Sequence, residues 1–406
     1  MTASLLAQSL ELPNGTTLKN RLGKAAMSEQ LGTQEHAPTQ GLVKLYETWA
    51  QGGAGLLITG NVMIDRRALG EPANVVLEDD RDLGIVGAWA SAAQAEGAQA
   101  LMQINHPGRQ SPKNVVAQPV APSAVALEGM GGVFAQPRAL EEAEIEEIIA
   151  RFASTAELAV RAGFAGVQIH GAHGYLVSQF LSPHTNRRED GWGGTPEKRR
   201  RFLMEILRAA RKSMGPAGTL ALKLNSADFQ RGGFSEEESM DVVRELNDTG
   251  LDLLEISGGT YEQPPTQVKT PPRESTRKRE AYFLEYAEAV RAITRIPLML
   301  TGGMRSVEGM SAALAGGVDV VGLARPLAVE PDLPNRLLSG EAEAALEINL
   351  EFGIKKLDAF LDVAWYQQQL MRMAAGKLPD PDSCRLGAAL KTLIHAFTHR
   401  PRRPRV

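Results

Sequence analysis

Short apolar runs alternate regularly along this sequence with longer stretches of helical periodicity. Eight runs have the length and aliphatic content of β-strands, with the little polar alternation expected of parallel strands covered on both faces. They are Leu22–Met27, Gly55–Met63, Ala100–Asn105, Gly166–Gly171, Leu220–Ser226, Leu251–Ser257, Pro297–Gly303 and Asp319–Arg325. Eight strand–helix units in 406 residues predict an α/β fold of the (β/α)8 TIM-barrel type.

The segments between these runs carry helix start and stop signals. Ser235 and Glu238 have the spacing of a capping box, and another helix is predicted to begin at Pro196 and to end at Gly215. The alternative architecture is a doubly wound sheet. It is disfavoured because no G-x-G-x-x-G motif follows the first strand.

Two further segments flank the predicted barrel. Asn14-Gly15 predicts a β-hairpin that plugs the bottom of the barrel. The strand pattern stops near residue 340, so the sequence divides into a barrel domain (1–340) and a C-terminal helical extension (341–406). The extension ends in a basic, proline-rich tail, RPRRPRV.

Composition narrows the class of protein. A net charge of -4 gives no reason to expect nucleic acid or an anionic membrane as a partner. The single cysteine, Cys384, excludes an intramolecular disulfide and a cluster held by four thiolates. There is no signal-peptide pattern and no apolar run near the roughly 20 residues that span a bilayer. We therefore expect a soluble, cytoplasmic protein.

The loop after the fourth predicted strand holds the most distinctive candidate residues. The stretch QIHGAHGYLVSQFLSP places His170, His173 and Tyr175 at the carboxyl end of that strand, where barrel enzymes carry their active sites. The histidines could bind a metal, bind a carbonyl oxygen or be structural. A metal is disfavoured because no H-E-x-x-H motif or clustered carboxylate set accompanies them.

Two other strand ends suggest a bound anion. Gly302 and Gly303 after strand seven expose backbone N–H groups, and Ala324-Arg325 after strand eight adds a guanidinium. These loops are the usual phosphate site of such barrels.

Lys223 lies in the middle of the fifth apolar run. We expect it to point into the barrel mouth as a Schiff-base nucleophile or as a fixed cation.

Together these residues resemble the Old Yellow Enzyme family of flavin-dependent ene-reductases, of the single-domain type without an iron–sulfur cluster. The resemblance rests on the loop His-x-x-His-Gly-Tyr-Leu and the run NRREDGWGG behind it. It extends in order to LKNRLGKAAMS, QINHPGR, APSA, SADF and TGG…GLARPL, and covers about Leu10 to Leu338. The usual arginine of the family is replaced by Lys223, which keeps the charge but loses a planar fork.

The resemblance implies FMN at the mouth of the barrel, with NADH or NADPH as reductant. Gly303, Ala324 and Arg325, beside Gly302, would hold the phosphate. Ala25, Met27 and Gly60 would line the isoalloxazine, Gln103 would bind its pyrimidine edge and Lys223 would face N1 and O2. Ser28 stands where relatives carry a redox-tuning cysteine or threonine.

The resemblance also implies the reaction. The substrate would be a small electron-poor alkene, an α,β-unsaturated carbonyl or nitro compound. His170 and His173 would bind its oxygen and Tyr175 would supply a proton. A Schiff-base lyase or aldolase using Lys223 and a non-catalytic flavin-binding protein are the alternatives. Because family members often dimerise, a homo-oligomer is expected by analogy.

Overall fold

The computed structural model describes residues 3–128, 132–257, 284–348 and 355–384, with 387, 388, 390–392 and 394. Eight parallel strands form a closed barrel. Each strand pairs with the next along the chain, and the last pairs with the first through Val321 and Leu22. The strands are β1 (Leu22–Lys24), β2 (Leu56–Ile58), β3 (Gln99–Asn105), β4 (Gly166–Gly171), β5 (Thr219–Asn225), β6 (Leu253–Ser257), β7 (Leu298–Thr301) and β8 (Val320–Leu323). The predicted (β/α)8 barrel is confirmed.

Helices surround this barrel. In chain order they are α1 (Ala3–Leu6), α2 (Gln40–Gln51), α3 (Leu83–Ala93), α4 (Glu142–Arg161), α5 (Leu176–Leu181), α6 (Pro196–Met214), α7 (Glu236–Leu246), α8 (284–291), α9 (Val307–Ala315), α10 (Arg325–Val329), α11 (Leu333–Ser339) and α12 (Lys355–Ala374). Helix α7 begins with the predicted capping box of Ser235 and Glu238. Helix α6 begins at Pro196, and Gly215 after its end has a φ of +72°. The local signals therefore placed both helices correctly.

The second predicted strand is shorter than expected. The run Gly55–Met63 divides into β2 and a short strand, Val62–Met63, which pairs with β3 and with Val75–Val76. The strand is interrupted at Gly60, where the Glu29 carboxylate accepts the backbone N–H at 2.9 Å. The prediction of one continuous strand was wrong because a buried side chain replaces the strand partner at that point.

The N-terminal hairpin closes the lower end of the barrel, as predicted. Strands Leu10–Glu11 and Thr17–Leu18 pair antiparallel. The Asn14 side chain donates to Ala217 O at 2.9 Å and to Thr219 Oγ1 at 3.0 Å, at the start of β5. Leu12 and Leu18 are buried in the cluster that fills the barrel interior with side chains such as Leu56, Leu101 and Met299.

The C-terminal extension begins differently from the prediction. Residues 341–348 are not helical, and Ala344 forms an antiparallel bridge with Ser306. Helix α12 then packs against α2 and α10. Most of the second predicted C-terminal helix, and the whole basic tail, lie outside the described residues. In the described part of the chain no helix is both long and apolar enough to cross a membrane.

Candidate active site

A chain of four buried polar side chains crosses the barrel interior just below its mouth. Gln103 Nε2 donates to Gln168 Oε1 at 2.7 Å, and Gln168 Nε2 donates to Glu255 Oε2 at 2.7 Å. Lys223 Nζ donates to the other carboxylate oxygen of Glu255 at 2.9 Å. Register brings them together, because Gln103 and Gln168, and likewise Lys223 and Glu255, are directly paired on neighbouring strands. Lys223 therefore points into the barrel, as predicted, but it has a carboxylate partner that the sequence reasoning missed.

The three candidate catalytic residues form one cluster above this row of four hydrogen-bonded side chains. His170 is paired in register with Lys223. Its ring centroid lies 5.1 Å from that of His173 and 4.8 Å from that of Tyr175. His173 adopts a left-handed φ of +60°, uncommon outside glycine, and its backbone N–H donates to Asn225 Oδ1 at 3.2 Å. The turn thus brings both imidazoles and the phenol to one place.

Both imidazoles are held neutral. Burial lowers the pKa of His170 well below its usual value, with further lowering by His173 and Lys223. Burial and then Lys223 lower the pKa of His173 to about 3. Ala172 N–H donates to His170 Nδ1 at 3.3 Å, so the single proton of that neutral ring lies on Nε2. His173 Nε2 lies 2.7 Å from Ser257 Oγ, so the two histidines have different partners.

Asn61 contacts the hydroxyl of Tyr175. Its Nδ2 donates to Tyr175 Oη at 3.3 Å, and its Oδ1 is buried without a hydrogen-bond partner among the described residues. An N–H donor stabilises a phenolate more than a phenol, so this contact favours release of the Tyr175 proton. Asn61 follows the predicted Gly60 directly, but an asparagine in a loop gives no sequence signal for such a role.

The loop after β1 is fixed from both sides. Ala25 is buried and its N–H donates to Leu323 O at 2.8 Å. Ser28 donates its hydroxyl proton to the Glu71 carboxylate, whose pKa is raised by burial. A Cβ atom at Gly60 would lie 2.0 Å from Glu29 Oε2 and 2.2 Å from Met27 O. Only glycine therefore lets the β2 end approach this loop.

The ends of β7 and β8 present groups suited to an anion. Gly302 and Gly303 have φ values of +141° and +77°, which free their N–H groups from strand geometry. Thr301 Oγ1 is buried and has no partner within the described residues. The Arg325 guanidinium follows Ala324, is half-exposed, and contacts Asp362 of α12 through one nitrogen at 3.2 Å. This donor set fits a phosphate, and we call these groups the phosphate cup.

Comparison with known proteins identifies the family. Residues 6–343 match the family model described as NADH:flavin oxidoreductase / NADH oxidase. The chain belongs to this family. It is 37% identical to the NADH-dependent flavin oxidoreductase iccE of Talaromyces variabilis, over 91% of this chain and 98% of that protein.

Solved structures of Old Yellow Enzyme relatives support the same assignment. The Old Yellow Enzyme homologue from Zymomonas mobilis is similar with a TM-score of 0.71 and 27% identity, over 84% of this chain and 95% of that one. Morphinone reductase in complex with tetrahydroNAD gives 0.71 and 28%, over 85% and 92%. This NADH:flavin oxidoreductase is therefore an oxidoreductase enzyme that uses FMN and a nicotinamide dinucleotide.

Across the described residues, no group of three or more histidine, cysteine, aspartate or glutamate side chains is arranged to hold a metal ion. Sequence reasoning did not single out five polar residues that contact the candidate site residues: Gln168, Glu255, Asn61, Glu71 and Asp362. Of these, Glu255 had a usable signal, because it interrupts the apolar strand LLEIS as Lys223 interrupts LALKLN.

Proposed function

We propose that this flavin oxidoreductase reduces electron-poor C=C bonds conjugated to a carbonyl or nitro group, with NADH or NADPH as reductant. The observation that carries the proposal is the position of His170. It is a buried, neutral imidazole at the barrel mouth whose Nδ1 accepts the Ala172 N–H, leaving its Nε2–H as a fixed donor. A fixed donor stabilises charge that develops on a substrate oxygen during reduction.

Tyr175 is the proposed proton donor. Its ring packs against His170 with a centroid separation of 4.8 Å, so a substrate oxygen held by His170 would place its alkene near the phenol. Bound FMN, once reduced by the nicotinamide cofactor, would supply the hydride that adds to Cβ. Tyr175 would then deliver a proton to Cα, and its hydroxyl is kept in place by Asn61. His173 is the second proposed substrate-binding residue.

The proposed FMN site uses residues on both sides of the barrel mouth. Ala25, Met27, Ser28 and Gly60 would line the ring and Gln103 would bind its polar edge, while Gly302, Gly303, Ala324 and Arg325 would hold the phosphate. Lys223 supplies the positive charge that an electron-rich ring requires. Glu255 lies 2.9 Å from that charge, so it weakens the positive field at the ring relative to an unpaired lysine.

The ion pair also counts against the Schiff-base alternative. Lys223 Nζ is buried and held by Glu255 Oε1 at 2.9 Å, whereas a Schiff-base nucleophile needs an amine that is free to approach a carbonyl. A non-catalytic flavin-binding role is disfavoured by the clustering of His170, His173 and Tyr175.

A cytoplasmic location, a homo-oligomer and the division at residue 340 remain predictions from the sequence.

The proposal is tested by product analysis. The FMN-loaded enzyme is supplied with NADH or NADPH and with either a cyclic enone or a nitroalkene, in D2O without oxygen. We expect the saturated product, with one solvent deuterium at Cα. His170→Ala should lose turnover and bind phenolic ligands less tightly. If the wild type consumes the nicotinamide only when oxygen is admitted and never forms a saturated product, alkene reduction is not its function.

A further inference from the structure

The C-terminal helix α12 reaches the phosphate cup through one ion pair. Asp362 Oδ2 lies 3.2 Å from Arg325 Nη1, with 30% of the aspartate side chain and 48% of the arginine side chain exposed. The guanidinium also lies 5.8 Å from the centre of the Tyr366 ring, one helical turn further along α12. Two residues of the extension, four apart, therefore contact the one cationic side chain at the end of β8.

Within the described part of the chain, most of the Arg325 guanidinium is available. Its ion pair with Asp362 uses a single nitrogen, and a guanidinium offers five N–H donors in a planar fork. Burial raises the pKa of the Tyr366 phenol, and the nearby positive charge of Arg325 offsets part of that rise. Arg305, from the loop after β7, also lies close enough to Tyr366 to interact with it electrostatically. Both strand-end loops of the cup thus face the same segment of α12.

The position of α12 is set independently of this ion pair. The helix packs against α2 and α10, and α10 is tied to α2 by the Trp49 indole, which donates to Leu327 O at 2.8 Å. Trp365, at the middle of α12, is completely buried. Asp362 is therefore carried by a fixed element, and it can hold a half-exposed arginine in one orientation.

We propose that Asp362 is a positioning residue for the cofactor phosphate, which fixes Arg325 so that its remaining N–H groups face the phosphate cup. The inference rests on the proposed phosphate site and adds a role for helix α12, which lies beyond the matched residues 6–343. A free arginine loses side-chain entropy when it binds an anion, and an arginine already held in place loses less.

The test compares FMN with riboflavin, which has the same ring and no phosphate. Apo-protein is titrated with each ligand, and binding is followed by flavin fluorescence. Asp362→Ala should weaken FMN binding about three- to tenfold, the range expected for one side chain no longer held in place, and should leave riboflavin binding unchanged. Asp362→Asn serves if the alanine variant folds poorly, with the same expectation.

Two reference variants make the outcomes separable. Asp380→Ala breaks another ion pair of α12, in which Asp380 Oδ2 lies 3.7 Å from Arg372 Nη1, and should change neither affinity. Arg325→Ala should abolish the preference for FMN over riboflavin. If Arg325→Ala abolishes the preference while both Asp362 variants keep it, or bind FMN more tightly, the positioning role is wrong and the phosphate cup stands. If Arg325→Ala keeps the preference, the phosphate binds elsewhere and both assignments fail.

Discussion

Lys223 Nζ lies 2.9 Å from Glu255 Oε1 inside the barrel, and the two side chains are only 5% and 0% exposed. The pair is completed by Gln168, which donates to the second carboxylate oxygen. Burying either charge alone would be costly. The cation that faces the proposed FMN ring is therefore one half of a neutral unit, and its partner belongs to the adjacent strand.

Removal of the carboxylate should destabilise the fold. Glu255→Leu leaves the Lys223 ammonium buried without a counter-ion, so we expect the free energy of unfolding to fall by about 3–5 kcal/mol in urea titrations. Adding Lys223→Met should recover much of that loss. Glu205→Ala, which breaks an exposed pair with Arg208, should cost less than about 1 kcal/mol. Equal losses in the two single variants would contradict a buried ion pair.

The buried histidines should make stability depend on pH. Burial lowers the pKa of His106 to about 4 and that of His173 to about 3, below the 6.5 of an exposed histidine. Below pH 6.5 the unfolded chain binds protons that the folded chain does not, so stability is lost as pH falls. Between pH 6.5 and 5 each histidine should cost about 2 kcal/mol. In urea titrations at both pH values, the free energy of unfolding should fall less for His173→Asn than for the wild type.

Asn61 should affect the proton transfer and leave hydride delivery to the flavin intact. Asn61→Ala removes the N–H donor that lies 3.3 Å from the Tyr175 hydroxyl, so proton release becomes less favourable. We expect re-oxidation of the reduced enzyme by an enone to slow about tenfold, the value of one hydrogen bond to a charged group. Reduction by NADH should keep its wild-type rate. Slowing of both half-reactions to the same extent would indicate a general loss of the site.

Gly60 should tolerate no side chain. A Cβ atom there would overlap Glu29 Oε2 and Met27 O, at 2.0 and 2.2 Å, so Gly60→Ala must displace the loop that carries Ser28. We expect weaker FMN binding in fluorescence titrations and a lower melting temperature. Gly84→Ala is the control, since a Cβ atom at Gly84 meets nothing within 4 Å. Wild-type FMN affinity in Gly60→Ala would contradict the assigned place of this loop.

The sequence predicted those features that depend on local pattern. All eight barrel strands were recognised because parallel strands buried on both faces are continuous apolar runs, and helix α7 was recognised because its capping box is local. The inward position of Lys223 was predicted from its place in the middle of an apolar run. The pairing of Lys223 with Glu255 could not be predicted, because it depends on the register between β5 and β6, which no local signal determines.

Contacts between distant segments could not be predicted from the sequence either. Asp362 reaches Arg325 across 37 residues, and Asn61 reaches Tyr175 across 114. Helix α12 carries an ordinary amphipathic pattern whose acidic positions look like a solvated face. Its contact with the cup follows from packing on α2 and α10. The break at Gly60 was missed for the same reason, since Glu29 replaces a strand partner there.

We propose that Tyr175 donates the proton while His170 holds the substrate oxygen, and rapid mixing can test the proton transfer. Enzyme reduced by NADH is mixed without oxygen with a cyclic enone, and flavin absorbance reports re-oxidation in wild type, Tyr175→Phe and the remote control Tyr286→Phe. We expect re-oxidation in wild type and control, re-oxidation at least about 100-fold slower in Tyr175→Phe, and an unchanged rate of reduction by NADH. Wild-type re-oxidation in Tyr175→Phe would contradict the assigned role.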